Sequence, residues 1–308
     1  MWAGIWVLYL VWGSTYLAIA VAVETIPPFL MAALRFLVAG SILLAWSFAR
    51  EGRSFRRPTR MEVRDSAIVG TLLLGGGMGL VAFGEQSVPS GITALMIGML
   101  PLWVAVFGRA FLGERLPGVV LAGIALGLVG VATLVWPGDL SLAGVEPWHL
   151  AAVAVSPISW AIGSLFAAHG AHLPARPLLA TGLQMVLGGG VLLTVSAVAG
   201  ELVGFAPAAV STQAAGALVY LIVLGSLLAF TVYAWLIRVA PLGRVTTYAY
   251  VNPVIAVILG AIILGEPLTW RVAVAGALIV VAVALIVTAR GRMEASAPLG
   301  NVEPAQAS

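Results

Sequence analysis

Residues 82–116 read AFGEQSVPSGITALMIGMLPLWVAVFGRAFLGERL, and residues 234–268 read AWLIRVAPLGRVTTYAYVNPVIAVILGAIILGEPL. At a constant offset of 152, Ala82, Pro89, Gly91, Pro101, Gly108, Leu112, Gly113, Glu114 and Leu116 recur as Ala234, Pro241, Gly243, Pro253, Gly260, Leu264, Gly265, Glu266 and Leu268. Nine identities in 35 ungapped positions exceed what a shared apolar composition gives, so the two stretches read as copies of one structural unit.

Outward from this pair, the chain divides into ten apolar runs with limits near 3–23, 28–48, 66–86, 90–112, 117–136, 148–168, 177–199, 214–237, 245–265 and 270–289. A helix of about 20 apolar residues crosses a bilayer. The first run has no basic leader or small-residue cleavage site, so it is expected to stay as a helix. Each half then holds five helices, in residues 1–137 and 138–290, and residues 291–308 form a small, polar tail expected to be disordered and cytoplasmic. Because five is odd, the second copy must enter the membrane from the other side. The expected fold is an all-α membrane protein of ten transmembrane helices, arranged as two inverted five-helix repeats about an in-plane pseudo-two-fold.

Composition agrees with a membrane protein and removes several chemistries. The 308 residues are 61% hydrophobic and 9% charged, where a soluble chain carries roughly 25% charge. There is no Cys and no Lys, which excludes disulfides, thiol nucleophiles, Schiff bases and a phosphate-loop lysine. The net charge of +3 comes from Arg residues scattered between apolar runs, not from one basic face, so nucleic acid is not an expected partner. If the ten spans alternate, Arg50, Arg53, Arg56, Arg57, Arg60, Arg64, Arg109, Arg115, Arg176, Arg238, Arg244, Arg290 and Arg292 share one side and only Arg271 faces the other. The positive-inside rule then places both termini in the cytoplasm. The repeat obeys the same inversion: Gln86 and Ile92 become Arg238 and Arg244, while Arg109 and Arg115 become Ala261 and Pro267. Inverted repeats place a solute site between the halves and supply two near-equivalent states opening to opposite sides, which favours a transporter.

Five motifs also carry a resemblance. They are Trp12-Gly13-Ser14-Thr15-Tyr16, the Pro27-Pro28 to Arg35-Phe36 spacing, Val88-Pro89-Ser90-Gly91, Leu112-Gly113-Glu114, and Tyr248-Ala249-Tyr250-Val251-Asn252-Pro253. In this order they resemble the EamA-type branch of the drug/metabolite transporter superfamily, with a pattern similar to its YedA-like members. The resemblance implies a bacterial inner-membrane permease of ten helices, of a kind that usually exports amino acids, metabolites or drugs, and it carries no particular substrate. In the second half the first motif reads Ser159-Trp160-Ala161-Ile162-Gly163-Ser164, so the halves are expected to contribute unequally.

Arg35 is the only basic residue well inside a run, about 10 Å along the helix from Pro28. Holding it there costs on the order of 3 kcal/mol, so it should face a cavity or a carboxylate. Three roles are open: a fixed ion pair with Glu85 or Glu24, contact with an anionic solute group, or gating. Glu85, four residues before Pro89, is the acidic candidate for proton coupling, its alternative being a solvated surface residue. Glu114 and Glu266, at helix ends, read as setters of loop structure, and His149, His169 and His172 as solvated.

Trp2, Trp6, Trp46, Trp136, Trp148 and Trp270 lie near span ends and suit interfacial anchoring. Trp12, Trp160 and Trp235, with Tyr16, Tyr233 and Tyr248, lie deeper. Trp12, Thr15 and Tyr16 share a helix face, as do Tyr248 and Asn252; Ser226 with Tyr233, and Gln184, give weaker faces. Mixed aromatic and hydroxyl faces suit a small amphipathic solute. The solute-binding candidates are therefore Trp12, Thr15, Tyr16, Arg35, Trp160, Ser226, Tyr233, Tyr248 and Asn252. Coupling or gating falls to Glu85, Arg35, Pro101 and Pro253, the prolines being hinges or static kinks. Gly75 to Gly79 and Gly123 to Gly127 have the spacing of close helix packing.

An intramembrane enzyme would need a nucleophile with a nearby His, or clustered metal ligands; the chain has no Cys or HExxH, and Asp65 and Asp139 read as loop residues. A channel would need a continuous polar lining. An importer or a receptor on the same fold stays open. The expected partners are a small-molecule solute and the bilayer, with no cofactor or metal; oligomeric state is not legible.

Overall fold

The computed structural model describes residues 1–52, 56–136, 142–240 and 242–296. They form helices and turns, with no strand among the described residues. Among the described residues, nine segments are long and apolar enough to cross a membrane. In order, α1 is Trp2–Val23, α2 Pro28–Glu51, α3 Arg60–Gly84, α4 Ser90–Leu112, α5 Gly118–Val135, α6 Pro147–His169 and α7 Pro177–Val198. Helix α8 joins Thr212–Tyr220, Leu221–Leu228 and Ala229–Val239, α9 is the shorter apolar helix Tyr248–Leu264, and α10 is Trp270–Ser296. These are the ten expected runs.

Local chemistry sets the ends. Pro28, Pro147 and Pro177 open α2, α6 and α7 from within the first turn, where a missing N–H costs nothing. Gly113 and Gly265 end α4 and α9 with φ of 69° and 66°, a left-handed cap that residues with a Cβ avoid.

Three expectations need correction or extension. Helix α3 begins at Arg60, earlier than the apolar run, because Thr59 and Glu62 form a reciprocal capping box. Asp65 is therefore a helix residue, not a loop residue: it is fully buried, accepting from Arg64 Nε at 2.8 Å and from the His172 backbone N–H at 2.7 Å. Helix α10 runs to Ser296, past Gly291 where the tail was expected to start. Asp139 and residues 297–308 lie outside the described residues.

Packing is densest for α2 on α7, followed by α5 on α10 and α3 on α6. Gly123 and Gly127 let α5 approach Ala282 and Ile286 of α10, as the small-residue spacing predicts. The stretch Thr71–Gly79 of α3 is wound as a π-helix, which leaves carbonyls free of their usual i+4 partners. Hydroxyls of α6 take two of them: Ser156 donates to Gly77 O and Ser159 to Leu72 O, both at 2.8 Å. A Cβ on Gly77 would stand 2.7 Å from the Trp160 ring, so the glycines let α6 lie on α3 and aim Trp160 inward.

Candidate functional site

A cavity of about 360 Å³ lies at the centre of the bundle. Its wall includes Trp12, Thr15 and Tyr16 from α1, Arg35 and Phe36 from α2, Met78 from α3, Ala94 to Val104 of α4, Trp160 from α6 and Phe230 from α8. Tyr248, Asn252 and Pro253 of α9 complete it with Val287, Arg290 and Gly291 of α10. Helices from both halves of the chain, α1 to α4 on one side and α6, α8, α9 and α10 on the other, therefore contribute to it.

Trp12 organises the aromatic side. Its indole Nε1 donates to Gly225 O at 3.3 Å, and its ring lies 4.9 Å from that of Tyr248 and 5.5 Å from those of Phe230 and Tyr233. Tyr233 supports Trp12 from behind and is not among the lining residues, which departs from the expectation for it. Trp235 is 46% exposed on the outside of α8, so its depth in the run did not aim it inward.

Arg35 is buried, 3% exposed, and lines the cavity. Nε donates to Ser226 Oγ at 3.0 Å, and Cζ lies 4.9 Å from the Phe36 ring centroid. Ser226 is fully buried behind the wall, so it meets a solute only through Arg35. No carboxylate among the described residues comes within 4.0 Å of Arg35, so the ion pair with Glu85 or Glu24 does not form. Glu85 lies outside the cavity wall and is 5% exposed, with neither carboxylate oxygen hydrogen-bonded among the described residues. It is not the solvated surface residue weighed as its alternative. Gln184 does not line the cavity; its backbone packs on Gly70 of α3.

Pro101 and Pro253 both reach the wall. Helix α4 breaks at Met99 between Ser90–Gly98 and Leu100–Leu112, because Pro101 offers no N–H to the preceding turn. A Cβ on Gly98 would stand 2.9 Å from the Pro253 ring, so the two proline regions meet where α4 crosses α9.

The two ends of the cavity differ. At the end holding the start of α4, carboxylates of the second half cap helices of the first: Glu201 accepts from Phe29 and Leu30 N–H at 3.2 and 2.9 Å, and Glu266 from Ser90 and Gly91 N–H at 2.6 and 3.0 Å. Phe29 stacks on Phe83 at 5.5 Å, and His149 bonds Ser87 Oγ at 2.8 Å. At the opposite end the wall continues to Thr246, Val104, Arg290 and Gly291, and Arg290 Nη2 donates to Glu114 at 2.8 Å.

Sequence reading missed Phe230, Thr246 and Arg290 as wall residues. Phe230 follows Ser226 by four, so periodicity carries a signal for it, whereas nothing in the sequence marks Val287, the wall residue one turn before Arg290. In the sequence Arg290 carries only the positive-inside signal.

An all-helical polytopic bundle around an aromatic cavity holding a buried cation is the architecture of a membrane transporter. Residues 1–136 and 147–288 match the model of the EamA-like transporter family, and the chain belongs to that family. It is 38% identical over 287 residues to the uncharacterized inner membrane transporter YedA of Escherichia coli K12, covering 93% of this chain and 90% of the relative. It is 27% identical to a probable terminal-alkyne amino-acid exporter of Streptantibioticus cattleyicolor, covering 96% and 97%. A solved structure titled "Crystal structure of protein" shares the fold, with a TM-score of 0.60 at 23% identity over 95% of this chain and 98% of that one.

Proposed function

We propose that the chain is a secondary transporter that exports a small amphipathic solute across the inner membrane by alternating access, its halves acting as inverted repeats with both termini in the cytoplasm. The observation that carries this reading is Arg35: a buried guanidinium on the wall of the cavity, with no carboxylate among the described residues within 4.0 Å. In a low-dielectric site such a cation favours a ligand that brings the missing charge. Ser226 occupies Nε and leaves the Nη edge for a carboxylate of the solute. Trp12, Tyr16, Trp160 and Tyr248 take its apolar body, Thr15 and Asn252 supply hydrogen bonds, and Tyr233 holds Trp12 in place. The cavity volume falls in the range of small-molecule sites, about 300–1,000 Å³.

Glu85 is the residue that couples transport to protons, since a buried carboxylate without a hydrogen-bond partner is stable in its neutral form and charged when access brings water. Arg35 and Glu266 are the charged groups close enough to act on it. Pro101 and Pro253 serve as the points about which α4 and α9 bend. Support for export, and for amino-acid-like solutes, comes from the name of the Streptantibioticus relative.

Solute counterflow in proteoliposomes tests the reading. Saturable exchange of an aromatic or aliphatic amino acid, weakened in Arg35→Ala, is expected. Ion current without saturation would identify a channel and overturn it.

A further inference from the structure

We propose that Glu266 and Glu114 are a matched pair of gate residues, one for each end of the cavity, and that in this structure Glu266 holds its end shut while Glu114 rests on Arg290. The proposal builds on the alternating-access reading above. Its first support is that the two glutamates sit in the same local fold. Each follows a left-handed glycine, Gly113 or Gly265. Each N–H reaches back to a glycine carbonyl, Glu114 to Gly108 at 3.3 Å and Glu266 to Gly260 at 3.1 Å. Each carboxylate lies over that same glycine, so that a Cβ on Gly108 would stand 2.6 Å from Glu114 Oε2 and one on Gly260 would also collide with Glu266. The offset of 152 pairs them position by position.

What differs is what each carboxylate grips. Glu266 reaches from the end of α9 to the start of α4 and accepts from the N–H groups of Ser90 and Gly91. That grip lies on the seam that closes the cavity: a Cβ on Gly91 would stand 3.0 Å from Val257 Cα, and the cavity wall on α4 begins one turn later, at Ala94. Glu114 lies at the other end of α4, beyond the stretch that lines the cavity as far as Val104, and there Arg290 of the cavity wall donates to it at 2.8 Å. The first half has no such arginine, since none stands between Arg115 and Arg176.

A carboxylate on two N–H groups at a helix start combines charge-assisted hydrogen bonds with the helix dipole. A grip made in one state and absent in the other biases the equilibrium by its own strength. Glu266 therefore favours the state seen here. In the opposite state Glu114 leaves Arg290 and takes the backbone N–H groups of Leu242 and Gly243, the counterparts of Ser90 and Gly91.

The chain has no native Cys, so single cysteines at Val257 and at Val104 report access to the two ends by thiol labelling of the full-length protein in nanodiscs, without any solute. Glu266→Gln should raise labelling at Val257→Cys and lower it at Val104→Cys, each by about tenfold. Arg290→Gln should shift both rates in the same sense, because it frees Glu114. If Glu266→Gln leaves both rates within about twofold, or moves both sites together, Glu266 is only a helix cap and the proposal falls. Should Glu266→Gln fail to fold, Ser90→Pro removes one N–H at a first-turn position, and Pro89, with ψ of 141°, already suits a following proline. The same paired shift is then required. A labelling shift without solute exchange in any proteoliposome assay would overturn the transporter reading and leave the gate pair standing.

Discussion

The Nε of Arg35 donates to the Oγ of Ser226 at 3.0 Å, and this bond between residues 191 apart ties α2 to α8 beside the cavity. Ser226 lies in the π-helical stretch Leu221–Leu228, and a Cβ on the preceding Gly225 would stand 3.3 Å from Arg35 Nη2. Widened winding and a missing side chain together let Arg35 lie flat against α8. For Ser226→Ala we expect a folded protein whose solute KM rises about 3- to 10-fold, as for loss of one charge-assisted hydrogen bond. Flux assays on proteoliposomes measure it, and an unchanged KM would show that Ser226 does not orient Arg35.

Arg35→Ala should weaken anionic and zwitterionic solutes by tenfold or more, by the same reasoning for a lost charged partner, while neutral solutes change little. Thermal stability and binding measured on one purified sample separate the two roles. Equal loss for every solute together with a lowered Tm would mark Arg35 as a purely structural cation.

Glu85→Gln should keep solute counterflow, which needs no net proton movement, and lose accumulation driven by a pH gradient. The two assays run on the same vesicles. Retained accumulation would remove Glu85 from coupling.

Close helix approach gives a sharper stability test. A Cβ on Gly188 would stand 2.6 Å from the carbonyl oxygen of Gly70, so α3 and α7 touch backbone to backbone; Gly190, two residues on, has open space around its Cβ position. Gly188→Ala should destabilise by about 1–3 kcal/mol. Gly190→Ala should be neutral or stabilise by up to about 1 kcal/mol through helix propensity. Thermal unfolding of both variants in detergent compares them directly, and equal behaviour would place α3 and α7 farther apart.

The placement of arginines predicts that a reporter fused after Ser296 is active in the cytoplasm. Activity confined to the periplasm would reverse the orientation and, with it, the side to which the Arg290 end of the cavity faces.

Much of the fold was legible in order along the chain. Apolar runs long enough to span, prolines at helix starts and glycines at helix ends act within a few residues, and so the ten helices fall where the sequence puts them. The inward faces followed from the same short-range logic: Trp12, Thr15 and Tyr16, three and four residues apart, all reach the cavity, as do Tyr248 and Asn252. The start of α3 was missed because a capping box of polar residues, not an apolar run, begins it.

Choices between partners belonged to the tertiary structure. Arg35 could have met Glu85, Glu24 or a solute, and its pairing with Ser226 depends on how α2 and α8 are rotated and spaced, which no local period encodes. Tyr233 and Trp235 lie at similar depth, yet the packing of α8 on α1 puts one against Trp12 and the other outside. Glu266 reads in the sequence as a helix-end residue that sets loop structure, and only the crossing of α9 and α4 gives its carboxylate the Ser90 and Gly91 N–H groups. Sequence by itself determined which segments enter the membrane and which of their faces are polar, because hydrophobic burial and helical periodicity are local. Only the assembled bundle decided which polar groups meet, because a hydrogen bond between helices needs two backbones placed to within about 1 Å, and that placement is set by the packing of every helix at once.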